Sequence, residues 1–159
     1  MGEKALPSDR DEIFLALKNV PVDADLRYLQ LLRLIVKRFN LLTDSGAVNR
    51  LAAAMIRRNE YACAHRLVKE ADRAMERAGT DVRQVIHLYE SCLTKFKRRE
   101  QWDWMIWFTS SAIGAGIVSE GILRMRIRAL VESNRYRQVI ETFHLFERNG
   151  IAPNKAVYD

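Results

Sequence analysis

The feature that most constrains the fold of this chain is a helical pattern that ends in the same way twice, at Gly116 and again at Gly150. In segment 135–150 apolar residues recur at the spacing of one helix face, and the pattern ends at Gly150, before Ile-Ala-Pro. When the sequence is displaced along itself by 34 residues, Gly116 falls on Gly150, and residues of similar apolar or small character align at the same helical phase. We call this displacement the repeat shift. The aligned pairs are Gly150 with Gly116, Phe146 with Ala112, Val139 with Met105, Tyr136 with Trp102, and Leu130 with Phe96. The pattern therefore predicts a repeated structural unit.

A weaker copy of the same ending occurs upstream. Met75 stands four residues before Gly79, as Phe146 stands four residues before Gly150. The distance from Gly79 to Gly116 is, however, three residues longer than the repeat shift. A helix–turn–helix unit of about 34 residues cannot bury its apolar face alone, so neighbouring units must stack. We expect Gly150 to adopt the left-handed conformation that ends a helix, and Pro153 to prevent the helix from continuing.

The rest of the chain also has helical periodicity, and no alternating segment predicts a strand. Ser8 and Asp23 are expected to cap the first two helices, and Gly79 to end the fourth. Eight helices are predicted, over about 9–19, 24–42, 47–58, 61–78, 82–97, 101–115, 120–133 and 135–150. The predicted class is all-α, with an acidic segment and a short helix in residues 1–22 and a helical-repeat domain in residues 23–159.

Charge is distributed unevenly along the chain. The formal net charge is +6, yet residues 1–25 carry −3, which leaves +9 on the rest of the chain. A basic body indicates an acidic partner, of which nucleic acid is the usual one, although an ordinary basic surface has the same composition. The apolar runs are too short for a membrane span, and the acidic start does not resemble an Arg-rich transit peptide.

No set of side chains in the sequence predicts catalysis or a cofactor. Three histidines stand on different predicted helices without a ligand set at suitable spacing: His65, His87 and His144. Cys63 and Cys92 lie within helical patterns and are expected to be buried free thiols. The sequence has neither a phosphate-binding glycine loop nor a nucleophile–base set, so we expect no enzyme activity, metal or cofactor.

Residues 121–154 resemble a pentatricopeptide repeat. That family has an apolar helix A, a small turn, and a helix B that ends on Met-x-x-x-Gly-Ile-x-Pro followed by Asp or Asn. Here Phe146 takes the place of the methionine, and Gly150-Ile151 and Pro153-Asn154 match. Residues 87–120 and 50–83 are weaker copies, and residues 155–159 would begin a further, truncated unit. The resemblance implies a right-handed superhelical α-solenoid of helix–turn–helix repeats, similar to that of tetratricopeptide repeats.

The resemblance also implies a protein that binds single-stranded RNA, with the A helices lining the concave side of the solenoid. Basic residues recur near the ends of the predicted A helices, and Arg124 and Arg128 share one helix face. We expect them to form a positive groove for a phosphate backbone. The helix dipole also stabilises cations at helix C-termini, and this explains the positions of most of these basic residues but not that of Arg124. The candidate RNA-binding residues are Arg57, Arg58, Lys95, Lys97, Arg98, Arg124, Arg128 and Asn154.

In the pentatricopeptide family, a residue early in helix A and the last residue of the unit read one base. The resemblance assigns these roles to Arg124, or Met125 in the adjacent register, with Asn154, and in the preceding unit to Glu90 with Glu120. The family prefers a small polar residue at the first of these positions. Neither pair has one, which argues against base-specific reading by these units.

The family mostly serves organelle gene expression, which implies a mitochondrial location, with the cytoplasm or nucleus as the alternative. The alternative function is a protein-interaction scaffold with partners at the exposed solenoid ends, or a ribonucleoprotein subunit that does not read bases. Trp102 and Trp107 are expected to pack between helices, and Trp104 is the candidate for exposure.

Overall fold

The computed structural model describes residues 9–152, which contain eight α-helices, one 3₁₀ turn and no β-strand. The helices are α1 (Arg10–Lys18), α2 (Leu26–Arg38), α3 (Ser45–Arg57), α4 (Tyr61–Ala78), α5 (Val82–Arg98), α6 (Trp102–Gly114), α7 (Glu120–Glu132) and α8 (Tyr136–Arg148), with the 3₁₀ turn at Leu41–Thr43. The all-α prediction is therefore confirmed for this part of the chain. The chain divides into two compact units, residues 1–80 and residues 81–159.

Unit 1 contains α1 to α4, with α3 packed against the other three helices. The predicted caps of its first two helices were each placed too early. Asp9 caps α1 by accepting a hydrogen bond from the Glu12 amide, while Ser8 lies outside the described residues. Asp25, and not Asp23, caps α2, because its carboxylate accepts a hydrogen bond from the Tyr28 amide at 2.8 Å.

The second helix also ends earlier than predicted, at Arg38 instead of near residue 42. Asn40 adopts a left-handed conformation (φ 58°), which a helix cannot continue through. The chain then forms the 3₁₀ turn, in which Leu41 and Leu42 are buried. Leu42 is therefore buried in this turn, and α2 ends before it.

Unit 2 contains two helical hairpins, α5–α6 and α7–α8, which follow the predicted repeat shift. The shift carries both bounds of α6 onto those of α8, and it carries the end of α5 onto the end of α7. In both hairpins we call the first helix A and the second helix B. In unit 1, α3 and α4 form a third hairpin whose helix B has 18 residues against 13 in α6 and α8.

The same main-chain turn closes all three hairpins. A left-handed residue follows each A helix, at Asn59, Glu100 and Asn134, and a left-handed glycine follows each B helix, at Gly79, Gly116 and Gly150. The amide of the next residue donates a hydrogen bond to the carbonyl five positions earlier. These bonds join Glu60 to Met55, Gln101 to Phe96, Arg135 to Leu130, Thr80 to Met75, Ile117 to Ala112, and Ile151 to Phe146, at 2.8–3.0 Å. The predicted role of Gly150 is confirmed, whereas Pro153 lies outside the described residues.

The cores of the two hairpins in unit 2 use different side chains at equivalent positions. In the first hairpin the Phe108 ring lies 4.8 Å from that of Phe96 and 6.5 Å from that of Tyr89. In the second, Phe146 packs with Leu123 and Ile127. Phe146 occupies the position that Ala112 has in the first hairpin, and both are fully buried. A large residue in one copy and a small residue in the other therefore serve the same backbone arrangement.

Candidate nucleic-acid interface

The candidate interface in unit 2 is a groove of about 360 Å³ along the two A helices. Six of its lining residues come from α5, at helical spacings of three and four, and therefore form one face of that helix. The seventh comes from α7. The lining residues are His87, Glu90, Ser91, Thr94, Lys95, Arg98 and Met125.

Two of the predicted cations, Lys95 and Arg98, line this groove. The Lys95 amine donates a hydrogen bond to Ser91 Oγ at 2.9 Å, so its position is fixed along the helix. Arg98 is exposed in the last turn of α5, and Lys97 beside it is exposed outside the lining. In the last turn of α5, Arg98 therefore contributes its charge to the groove, whereas Lys97 lies outside it.

The two predicted arginines of α7 differ in how they are held. Arg128 forms an ion pair with Glu132, with 3.1 Å between Nε and Oε1, and its guanidinium lies 5.7 Å from the centre of the Trp102 ring. Arg124 is exposed and has no hydrogen bond or ion pair among residues 9–152. Arg124 is therefore available to a ligand, whereas part of the charge of Arg128 is already balanced.

The remaining candidates do not join this groove. Arg57 is the last residue of α3 and Arg58 caps it, and both are exposed in unit 1. Their position at a helix C-terminus is the one that the helix dipole favours for cations. Asn154 lies outside the described residues. The structure therefore brings Lys95 and Arg98 together and places Arg124 on the adjacent A helix.

An acidic side chain, Glu90, lies in the same groove. Its Oε1 accepts a hydrogen bond from the Ser119 hydroxyl at 2.7 Å, and the same hydroxyl accepts one from the Ile122 amide at 3.1 Å. Ser119 is the N-cap of α7, so Glu90 holds the start of one A helix against the face of the other. A Cβ atom on Gly121 would clash with Glu90 Oε1, so the carboxylate lies directly against the first turn of α7. Glu90 thus has a structural role beside the cations.

Sequence reasoning missed Arg126, which is the most fully engaged arginine of α7. Its Nη1 donates hydrogen bonds to the Ile106 carbonyl at 3.1 Å, to Thr109 Oγ1 at 2.8 Å and to Ser110 Oγ at 2.9 Å. Burial lowers the pKa of Arg126 from its ordinary value. The signal was present in the spacing: Arg126 lies between Ile122 and Ala129 on the buried face of the helix.

The expectations for tryptophan and cysteine are partly corrected. Trp107 is 62 % exposed, so the prediction that it packs between helices is wrong. Its ring lies 5.8 Å from that of the half-buried Trp104. Both cysteines are free; Cys92 is buried as predicted, whereas Cys63 is only half-buried. Burial raises the pKa of Cys92 to about 12, so its thiol stays protonated at neutral pH.

Two features are absent from residues 9–152. No group of three or more His, Cys, Asp or Glu side chains is placed to hold a metal ion. Likewise, none of the helices has both the length and the apolar character that a membrane crossing requires.

Comparison of the chain with protein-family models, with curated proteins and with solved structures gives no match.

Proposed function

We propose that this protein is a non-catalytic helical-repeat protein of the pentatricopeptide type that binds single-stranded RNA through the groove on its A helices. In this proposal the hairpins stack into a right-handed solenoid whose concave side the A helices line. The observation that supports the proposal best is the groove itself, with Lys95 and Arg98 at one end and Arg124 on the adjacent helix. The proposed setting is organelle gene expression, with mitochondria as the compartment.

The chemistry of the groove suits a nucleic-acid strand better than a compact small molecule. Its cations lie along a helix face, and a row of separated cations matches a row of phosphates. Met125 adds a polarizable apolar side chain to the lining of the groove, against which a base can pack. Arg98 and Arg124 are the residues that we assign to phosphate contact.

Glu90 makes this binding insensitive to sequence. Its carboxylate is engaged with Ser119, so it positions α7 and is not free to read a base edge. A carboxylate in the groove also repels phosphate, which lowers the affinity of this unit. We therefore propose phosphate-directed binding with little base preference.

A protein-interaction scaffold is the second candidate function. The observation that favours it is the apolar outer face of α8, where Tyr136 and Ile140 are 59 % and 61 % exposed. A scaffold interface of this kind would show little dependence of affinity on salt, because few counterions are released when an apolar surface is buried.

The test is fluorescence anisotropy with a labelled random pool of single-stranded RNA at about 50 and 200 mM salt. We expect wild-type affinity to fall steeply with salt, and the Arg98→Glu/Arg124→Glu variant to lose binding and lower the salt slope by about one per lost contact. The matched control is Arg137→Glu/Arg148→Glu, which makes the same charge change on the exposed surface of α8.

Two results would overturn the RNA proposal. One is the absence of binding at low salt by a protein whose circular dichroism spectrum is helical. The other is an equal loss of affinity in both double variants, which would mean that net charge and not the groove attracts the RNA.

A further inference from the structure

The outward face of α4, in unit 1, carries a row of basic side chains. The buried residues of this helix lie on its opposite face, and four cations follow one another along the outward face at spacings of three, four and four residues. They are Arg66, Lys69, Arg73 and Arg77, which we call the α4 row. The three arginines are exposed and Lys69 is half-buried. The α4 row is therefore a line of positive charge over about 17 Å of one rigid helix.

The acid best placed to neutralise the start of this row is engaged elsewhere. Glu70 stands four residues after Arg66, a spacing at which a carboxylate can pair with an arginine on the same helix. Its carboxylate instead binds the Arg33 guanidinium of α2 and lies 3.8 Å from the amine of Lys37, also on α2. Arg66 itself has no ion pair among residues 9–152. One carboxylate thus faces two cations of α2, and the charge of Arg66 stays unbalanced.

The rest of the row is also short of acidic partners. Lys69, Arg73 and Arg77 follow one another at a spacing of four residues, at which like charges repel. Glu76 is the exposed acid of α4, but within the described part of the chain it forms no ion pair. Burial and, to a smaller extent, the charge of Lys69 lower the pKa of His65, as expected beside an unbalanced cation. Repulsion along the row destabilises the helix, and an anionic ligand would relieve it.

Such a row is not a general property of the B helices. α6 contains neither lysine nor arginine. The surface of α8 carries both signs: Arg137 stands four residues before Glu141, and His144 Nδ1 lies 3.7 Å from the Glu147 carboxylate. Since the three B helices belong to hairpins with the same turns, the hairpin does not require the charge of α4. A ligand of opposite charge explains it.

The side chains around the row indicate which anion fits. None of the large apolar side chains exposed in residues 9–152 lies on α4. A helix that lies on an anionic membrane inserts such side chains, and a single strand is held partly by surfaces on which its bases stack. Duplex RNA needs neither, because its bases are paired inside and proteins contact its phosphates and 2′-hydroxyls. Arginine, which supplies three of the four cations, also forms bidentate contacts with phosphate oxygens.

We propose that the α4 row binds the phosphate backbone of a duplex segment of RNA. The complementarity of an unbalanced row of cations to a row of phosphates carries the proposal, and the lack of exposed apolar side chains on α4 selects the duplex. The α4 row lies in unit 1 and shares no residue with the groove of unit 2. The inference therefore goes beyond the proposed function and rests on it only for the choice of RNA over other duplexes.

The experiment titrates a labelled RNA duplex of about 20 base pairs with the full chain, by fluorescence anisotropy at about 50 and 200 mM salt. We expect Arg66→Glu/Arg73→Glu to weaken duplex binding about tenfold or more at the lower salt, and to reduce the salt slope by about one per lost contact. The matched control is Arg10→Glu/Arg27→Glu, which makes the same charge change at exposed positions of α1 and α2. It should leave the duplex affinity within about twofold.

A second variant tests the row in the opposite direction. Glu76→Gln removes the exposed acid of α4, and it should tighten duplex binding about twofold or more because less negative charge faces the phosphates. All the substituted side chains are exposed, so the variants should fold, and circular dichroism checks this. The groove variant Arg98→Glu/Arg124→Glu should lose the single-stranded pool and keep the duplex. Failure of the duplex proposal is thereby distinguishable from failure of the proposed function.

Four results would overturn the duplex proposal. The first is the absence of duplex binding at low salt by a folded protein, and the second is an equal loss in Arg10→Glu/Arg27→Glu. The third is an equal loss of single-strand and duplex binding in Arg66→Glu/Arg73→Glu, or tighter binding of a DNA duplex of the same length than of the RNA duplex. The fourth is binding to phosphatidylserine vesicles that the row variant loses while duplex binding is unchanged, which would make a membrane surface the partner.

Discussion

The two hairpins of unit 2 share their turns and most of their helix ends, but they differ at the surface. α5–α6 and α7–α8 share their turn bonds and are related by the repeat shift, yet Glu90 corresponds to Arg124 and the covered Ile106 to the exposed Ile140. The comparison teaches that main-chain hydrogen bonds in the turns set the geometry of a hairpin, whereas its surface side chains determine which groups it contacts. The predictions below alter one equivalent position at a time, and chemical denaturation measures each change in the free energy of unfolding.

The largest effect is expected at the core position where the hairpins differ most in volume. Phe146→Ala gives the second hairpin the residue that the first has at Ala112, but leaves a cavity against Leu123 and Ile127. We expect a loss of about 3–5 kcal/mol. The control Tyr136→Ala removes an exposed ring and one hydrogen bond to Asn134, and should cost less than about 1 kcal/mol. Equal losses would contradict the role of Phe146 as the residue that fills the core of the second hairpin.

The next effect tests the arginine that has no counterpart in the first hairpin, where Cys92 stands at the equivalent position. Arg126→Met keeps the apolar stem but removes the hydrogen bonds to Ile106, Thr109 and Ser110. We expect a loss of about 1.5–3 kcal/mol. Arg128→Met is the matched control, and it should cost less than about 1 kcal/mol because its guanidinium is on the surface. A larger loss in the control would contradict the role given to Arg126.

A third test concerns the close approach of the two A helices. Gly121→Ala brings a methyl group onto the Glu90 carboxylate, so we expect it not to stabilise the protein. Gly114→Ala is the control: it places the same methyl group in open space, and it should stabilise the helix. In a Glu90→Ala background the Gly121→Ala change should become favourable. The expected coupling energy in this double-mutant cycle is about 0.5–3 kcal/mol. Additive effects would mean that the Glu90 side chain moves away from the added methyl group without a loss in the free energy of unfolding.

The smallest effect is expected at the turn between α5 and α6. Glu100 has φ 54°, whereas asparagine occupies the equivalent turn position at Asn134. Asparagine tolerates the left-handed conformation better, so Glu100→Asn should stabilise the protein by part of the roughly 1–2 kcal/mol that this conformation costs. Glu147→Asn, in helical conformation, should instead lose a few tenths of a kcal/mol. A loss at position 100 would show that Glu100 makes a favourable contact of its own.

The sequence alone predicted the helices of unit 2 well because their ends depend on local chemistry. A glycine that follows an apolar stripe predicts a left-handed cap from adjacent residues, as at Gly116 and Gly150. The start of α2 was misplaced because Asp23 and Asp25 are both capable caps, and packing decides between them. Its end was misplaced because nothing in the apolar stripe before Leu42 indicates that Asn40 turns left-handed.

The candidate site was less predictable than the fold. Periodicity placed Lys95, Lys97 and Arg98 at one helix end, but only the packing of α5 on α7 shows which of them enters the groove. The contact of Arg126 with α6 and the exposure of Trp107 depend on which helix lies beside each side chain. Such contacts join different helices, so local sequence carries little information about them.

Main-chain hydrogen bonds close the six turns of the three hairpins. The groups that fix the path of each helix are therefore not the side chains that its surface displays. A hairpin keeps its geometry as long as these bonds form, and Glu100 shows that the left-handed position also accepts a residue other than glycine or asparagine. Its outer faces can then change, as Glu90 to Arg124 and Cys92 to Arg126 already illustrate within one chain. A protein engineer who grafted new surfaces onto α6 or α8 would therefore have the same freedom, provided that the turn residues were left in place.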